Sequence, residues 1–398
     1  MKKILIISAV FPPEPVVSAQ ISYALAAELS KSNIVTVLCP QPTRPLGFNF
    51  EIITTRHPFH KVVLDSYTCA ESRLLGRVRE SYSFGKACRQ YIETNYQNIE
   101  VIYMNAWPLL GQIFIVRAAT KYKIKIISHV QDIYPESFTL KMPFFLKGLI
   151  QKILLPFDKY VLSNSTHVIA ISNNMKRYLV ETRKLKEGDI SVIANWQNET
   201  DFIDFKIDED HKSISDNFIF MYLGNIGPVA GIEFLIECFA GAKLESAKLV
   251  VAGSGSTKKQ CQNISLNYLD SKIEFWDVPD GQVPKIQSIA DVMLLPVKKG
   301  AALSSIPSKL PAYMFSKKPI MACVDAGSDT AETIIQAGCG WVIEPENKVQ
   351  LIKLFKIVFS ETEESKVEKG ENGFAFAMQR FSKRANLKKI INLIIGSF

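Results

Sequence analysis

The chain has 398 residues, 47% hydrophobic and 22% charged, which suits a folded protein of two or three domains and argues against a disordered one. It lacks an apolar run of about 18 residues, a CxxC pair and an HExxH motif, so no spanning helix, structural zinc or catalytic metal is expected, and its seven scattered cysteines suit a reducing cytoplasm. Residues 1–200 carry 24 basic and 15 acidic side chains against 23 and 24 in residues 201–398, so the net charge of +8 belongs to the first half. A basic half suits an anionic membrane surface or a phosphorylated substrate; a solvated lysine-rich surface is the equal alternative, and with no nucleic-acid motif present no nucleic-acid partner is expected.

The opening MKKILIISAVFPPEP runs into Pro-Pro without a small-residue cleavage site and reads as a first strand, not a secretion signal. Further short apolar runs follow at Ile34–Leu38, Val101–Met104, Ile124–His129, Val168–Ile171 and Ile190–Ile193, with helical patterns such as Ser18–Ser30 between them. Nearly continuous apolar runs mark parallel strands buried on both faces, and their alternation with helices marks a doubly wound α/β sheet. The acidic stretch Asn198–Asn217 interrupts this rhythm, which restarts with Phe218–Leu223, Lys248–Ala252, Ile273–Trp276, Val292–Pro296, Pro319–Val324 and Trp341–Glu344. The expected organisation is two Rossmann-like domains facing across a cleft, at 1–198 and 218–375, with a linker at 199–217. A basic helical tail at 376–398 either caps the second domain or returns to the first.

Ligands of such sheets sit beyond the carboxyl ends of the strands. Three loops of the second domain suit a diphosphate there: one with Gly224, Asn225 and Gly227, one with Gly253, Ser254 and Gly255, and one running from Gly300 through Ser304 and Ser305 to Lys309. Glycines allow close backbone approach, and serines, amides and a lysine suit an anion. Val278 is counted with them as a donor-side residue. Each loop read alone is equally a plain turn, or a helix start capped by Ser305 or Ser308.

In the first domain, Glu14 in FPPEP and Ser18 after it, and Asn105 beside Trp107, are candidates to hold a sugar, with a rigid turn and a core indole as the alternatives. The loop HVQDIYPES gathers Gln131, Asp132, Glu136 and Ser137; Asp132 suits a base or a ligand for an acceptor hydroxyl, and it or Ser137 alternatively caps the next helix. Ser172 and Asn195, near later strand ends, complete the acceptor-side set. The stretch Met142–Pro156 is apolar with interleaved Lys147 and Lys152, too short to span a bilayer; it suits either a membrane surface or a buried helix.

The motif order FPPEP, HVQDIYPES, AISNNMKRYL, VIANWQNETDF, MYLGNIGPVAGIEFLIE, LVVAGSGS and SSIPSKLPAYMFSKKPIMA followed by AGCGWVIEPEN resembles the family-4 retaining glycosyltransferases of GT-B fold over nearly the whole chain. Within them it is most similar to the bacterial L-fucosamine (N-acetyl-L-fucosamine) transferases of O-antigen and capsule assembly. The resemblance implies a UDP-sugar donor in the second domain, a lipid-linked sugar acceptor in the first, and anomeric retention without a metal, Lys309 and the Gly224–Gly227 amides serving the leaving diphosphate. It places Asp132 and Gln131 at the reacting centre and the protein on the inner face of the cytoplasmic membrane. The pattern is incomplete: Asn225 and Ala230 stand where many members carry an arginine–lysine clamp, Ser304 and Ala312 where many carry two glutamates, and Gln131-Asp132 where a His-Asp pair is frequent. Two other readings use the same residues, a nucleotide-sugar 2-epimerase of this fold and a non-catalytic sugar-nucleotide-binding subunit. The epimerase would turn over donor without acceptor, and the subunit would bind nucleotide and turn over nothing.

Overall fold

The computed structural model describes residues 1–14, 16–43, 57–69, 74–105, 109–139, 142–205, 217–303 and 306–396. The chain forms two compact units: Met1–Asn195 together with Asn386–Phe398, and Trp196–Ala385.

The first unit holds β1 (Lys3–Ile7), β2 (Ile34–Cys39), β3 (His60–Val63), β4 (Val101–Asn105), β5 (Lys125–Val130), β6 (His167–Ala170) and β7 (Ile190–Val192). They form one sheet in the order β3-β2-β1-β4-β5-β6-β7, parallel throughout. The second unit holds β8 (Phe218–Leu223), β9 (Ala247–Ala252), β10 (Ile273–Trp276), β11 (Val292–Pro296), β12 (Ile320–Cys323) and β13 (Gly340–Ile343), ordered β10-β9-β8-β11-β12-β13 and again parallel. The strand order runs outward in both directions from β1/β4 and from β8/β11, an arrangement whose crossover helices, right-handed as such connections are, fall on both faces of each sheet. The central strands are accordingly apolar on both sides: every residue of β4 (VIYMN) and of β11 (VMLLP) is buried. In the second unit Phe220 of β8 meets Phe355 edge-on at 5.0 Å, and Phe239 meets Phe355 at 5.4 Å, joining two helices to the sheet.

Every strand expected from the sequence is present, with small shifts at the ends, and β3 is an addition. Its four residues, HKVV, are all partly or fully exposed at the sheet edge, so it lacks the apolar run that marks a central strand. The Met142–Pro156 stretch is part of a longer helix, Phe144–Ser163, that continues through Pro156, whose side is exposed. The basic tail is two helices, Glu363–Arg380 and Lys383–Ile395, broken at Phe381–Ser382. Glu199, read from sequence as a linker acid, caps the second of these: its oxygens accept from Ser382 Oγ at 2.6 Å and from the amides of Lys383 and Arg384 at 2.7 and 3.2 Å. Beyond Ala385 the terminal helix belongs to the first unit, where Asn386 Nδ2 donates to the Ala194 carbonyl at 3.0 Å and Ile390 and Ile394 are buried. The rest of the expected linker, 206–216, lies outside the described residues.

Candidate active site

At the end of β8 the backbone turns at Gly224, and the first two of the three glycine- and serine-bearing loops pack together there. The Gly224 amide donates to the Ala252 carbonyl at 3.0 Å and the Ile226 amide to the Ser254 carbonyl at 2.8 Å, extending the β8–β9 ladder into both loops. Gly253 has a φ of +128°, and a Cβ there would overlap the Gly224 carbonyl oxygen; one on Gly255 would overlap that of Ile226. Only glycines allow so close an approach of two strand ends.

Lys309 reaches the same place from the third loop. A Cβ on Gly224 would lie 3.0 Å from Lys309 Cε and 3.2 Å from Nζ. The ammonium donates to Tyr222 Oη at 2.6 Å, and Tyr222 passes its own proton to the Asn225 carbonyl at 2.6 Å. One turn further on, Tyr313 Oη accepts from the Leu223 amide at 3.0 Å and donates to the Leu223 carbonyl at 2.8 Å. The i, i+4 pair Lys309 and Tyr313 therefore docks the helix Lys309–Phe315 on the end of β8 with the cation beside the glycine turn. Burial lowers the Lys309 pKa to about 8, and among the described residues no ion pair offsets that cost, so the ammonium stands to gain from an anion. Lys258 fastens the other side, donating to the Gly253 carbonyl at 2.9 Å and Asp277 Oδ1 at 2.7 Å. Gly227 is buried in the turn before the helix Ile232–Ala242, and Asn225 and Ser254 are exposed. Val278 is half-buried just past β10. Ser304 and Ser305 lie outside the described residues, as does Trp107.

In the first unit the acceptor-side candidates lie beyond the same ends of their strands, and several are engaged by the protein itself. Glu14 is buried; Oε2 accepts from the Phe11 amide at 3.3 Å and Oε1 from the Thr43 amide at 3.0 Å, so it shapes the FPPEP loop. Asn105, at the end of β4, donates to the Ser18 carbonyl at 3.1 Å and Ser22 Oγ at 3.3 Å, while its buried Oδ1 has no partner among the described residues. Ser18 thus contributes its backbone. Ser172 Oγ accepts from the Met175 amide at 3.1 Å and caps the helix Asn173–Arg183. Asn195 Oδ1 is buried without a partner among the described residues.

The loop after β5 is built around Arg183, which is fully buried. It donates to Glu136 Oε1 and Oε2 at 2.7 and 2.6 Å, to Asp158 Oδ2 at 2.7 Å and to the Tyr134 carbonyl at 2.8 Å, and Tyr178 adds a bond to Glu136 at 2.7 Å. Burial alone would raise the Glu136 pKa, but the Arg183 and Tyr178 hydrogen bonds outweigh it and hold the carboxyl below its ordinary value. Glu136 is thus an anchor of the loop rather than a free ligand. Asp132, four residues earlier, is exposed, and among the described residues neither its side chain nor that of Ser137 makes a hydrogen bond to the start of the following helix Glu136–Thr139. Gln131 lies next to it and contacts His129 at 3.0 Å.

Two family models together match most of the chain. Residues 19–198 match Glycosyltransferase Family 4, and residues 204–376 match Glycosyl transferases group 1. The chain is a member of the family 4/group 1 glycosyltransferases. It is similar to the probable glycosyltransferase WbjE of Pseudomonas aeruginosa, 22% identical over 60% of this chain and 60% of that protein. It is also similar to the capsular polysaccharide biosynthesis glycosyltransferase CapM of Staphylococcus aureus, 31% identical over 28% of this chain and 32% of that one. These alignments span less than two thirds of either relative. The fold is that of Anabaena Alr3699/HepE, solved in complex with UDP, at a TM-score of 0.72 and 15% identity with all of both chains covered. The architecture is therefore GT-B.

Sequence reasoning did not single out three residues that build this candidate site: Tyr222, Tyr313 and Lys258. The two on β8 and its docked helix were partly signalled by the Lys309–Tyr313 spacing; Tyr222 reads as strand core, which it also is. Among the described residues no three His, Cys, Asp or Glu side chains gather as a metal site, and no helix is long and apolar enough to cross a membrane.

Proposed function

We propose that this protein transfers a sugar, N-acetyl-L-fucosamine being the candidate, from a UDP-sugar held by the second unit to a lipid-linked sugar held by the first, as a step in surface-polysaccharide assembly. The observation that carries the reading is Lys309, seated against the Gly224 turn and, among the described residues, in no ion pair. A leaving diphosphate gains negative charge as the glycosidic bond breaks, and a preset ammonium stabilises that charge more than it stabilises the ground state. Lys309 would do so without a metal, Tyr222 fixing its direction. Asp132, free of capping duty at the mouth of the first sheet, would hold or deprotonate the acceptor hydroxyl. The name of CapM and the UDP bound to HepE support the substrate class.

A lipid-linked acceptor brings the enzyme to a membrane, and the helix Phe144–Ser163 suits an acidic lipid surface. Leu146, Leu149, Ile153 and Phe157 are exposed at spacings that share one face. Lys152 and Lys159 are exposed with them, while the single acid of the helix, Asp158, is turned onto Arg183.

The test is a panel of nucleotide sugars offered with and without a lipid-linked acceptor extract, products being read by mass spectrometry. Acceptor-dependent UDP release supports the proposal. Conversion of donor without acceptor would establish the epimerase, and thermal protection by nucleotide with no turnover would establish a binding subunit.

A further inference from the structure

Beneath the half-buried Gln131 and the exposed Asp132 runs a buried polar chain that the transfer reaction has not used. Tyr103 Oη lies 2.6 Å from His129 Nδ1, and His129 Nε2 lies 3.0 Å from the carboxamide nitrogen, Nε2, of Gln131. Tyr103 is fully buried and His129 nearly so, at 1% exposure. Strand register sets Asn105 opposite His129. Burial lowers the His129 pKa to about 3, so the ring is neutral and carries one proton on one of its two nitrogens.

Counting donors decides which nitrogen. Among the described residues the only acceptor in reach of the Tyr103 hydroxyl is His129 Nδ1. If Nδ1 carried the proton, it would donate to the phenol oxygen and leave the phenol O–H buried with nothing to bond, which costs the full desolvation of that group. If Nε2 carries it, Tyr103 donates to Nδ1 and, with the carboxamide turned so that its oxygen faces the ring, Nε2 donates to Gln131; the phenol and both ring nitrogens are then satisfied. A carboxamide can receive that proton only on its oxygen. Its oxygen and nitrogen have nearly the same shape, and half a turn about the terminal torsion exchanges them.

We infer that Tyr103 and His129 are positioning residues that lock Gln131 with its carbonyl oxygen inward and its N–H pair outward, as a hydrogen-bond donor to an acceptor hydroxyl beside Asp132. The pairing has a chemical logic. A sugar hydroxyl must accept one hydrogen bond while giving its own proton away; Gln131 would supply the first and Asp132 would take the second. The donor role toward a sugar rests on the proposed transferase reading, whereas the protonation of His129 does not.

The first measurement therefore needs no activity. Long-range proton–nitrogen correlation spectra of the full chain, labelled at histidine nitrogens and assigned by the resonances that move in Tyr103→Phe, should show His129 protonated at Nε2 with an unprotonated Nδ1. A proton on Nδ1 overturns the inference outright. The second measurement uses Gln131→Glu, which can accept from Nε2 but has no N–H to offer. It should keep the His129 signature and raise the acceptor KM about tenfold, one neutral hydrogen bond's worth. An unchanged acceptor KM with the signature intact removes the donor role while leaving the proton assignment standing. If the wild-type protein shows no acceptor-dependent turnover, the transferase reading fails and the spectrum alone decides the inference.

Discussion

Replacing Lys309 by methionine keeps an unbranched side chain one atom shorter and removes its charge, and the two consequences of losing the charge have opposite signs. Burial takes Lys309 from an ordinary 10.5 to about 8, which disfavours the ammonium in the nucleotide-free protein by roughly 3 kcal/mol. The folded pKa lies below the unfolded one, so the unfolded chain binds this proton more tightly. The penalty is present in full below about pH 8 and fades as pH rises through the window from 8 to 10.5. Lys309→Met should therefore stabilise the protein at neutral pH and flatten that rise. A charge-assisted hydrogen bond to phosphate is worth about 1.5–3 kcal/mol, so the same variant should bind UDP roughly ten- to a hundredfold more weakly. The link between the two effects can be measured directly. At about pH 8.5 only about a quarter of Lys309 is charged without nucleotide, and a diphosphate restores the charge, so binding should take up about 0.7 proton per UDP. Titration calorimetry in buffers of different protonation enthalpy reads that number. Equal proton uptake by wild type and Lys309→Met, or none in either, would refute the placement of Lys309 on the diphosphate.

Three further outcomes follow from the first unit. Asp132→Asn should lower turnover at least a hundredfold with an unchanged melting temperature, because the side chain is exposed and caps nothing; wild-type rates would remove it from the chemistry. Arg183→Met should cost about 3–5 kcal/mol in urea unfolding, since it strands the Glu136 and Asp158 carboxyls. Because Glu136 titrates below its ordinary value, its contribution is present above that value and lost as pH falls through the folded pKa, so wild type should lose stability on acidification more steeply than the variant. Leu149→Glu combined with Ile153→Glu should abolish co-sedimentation with vesicles rich in acidic lipid without altering the fold, as these side chains are 60% and 55% exposed; binding equal to wild type would dismiss the helix as a lipid contact.

What could be read from the sequence and what could not differ for a physical reason. The central strands announce themselves because burial on both faces demands unbroken apolar runs, whereas β3 at the edge meets no such demand. Lys309 is legible in PSKLPAYM because a lone lysine entering a helix after a strand invites an anion. That Tyr222 would aim it at Gly224 is a fact of packing between residues 87 positions apart. The acids of the first unit show the converse. Glu14 and Glu136 read as ligands because they sit in polar strand-end loops, but their partners, the Thr43 amide and Arg183, are 29 and 47 positions distant, and sequence spacing cannot announce such a pairing. Glu136 therefore earns its place by holding the loop that presents Gln131 and Asp132.

The return of residues 386–396 to the first unit has a consequence for how the molecule is made. These residues are translated after the entire second unit, yet Asn386, Ile390 and Ile394 are buried parts of the first. The N-terminal sheet can begin to form on the ribosome but must wait, with an apolar seam uncovered, until its last helix emerges. Excising residues 1–195 should give an aggregation-prone fragment, and supplying the terminal helix as a separate peptide or by circular permutation should rescue it.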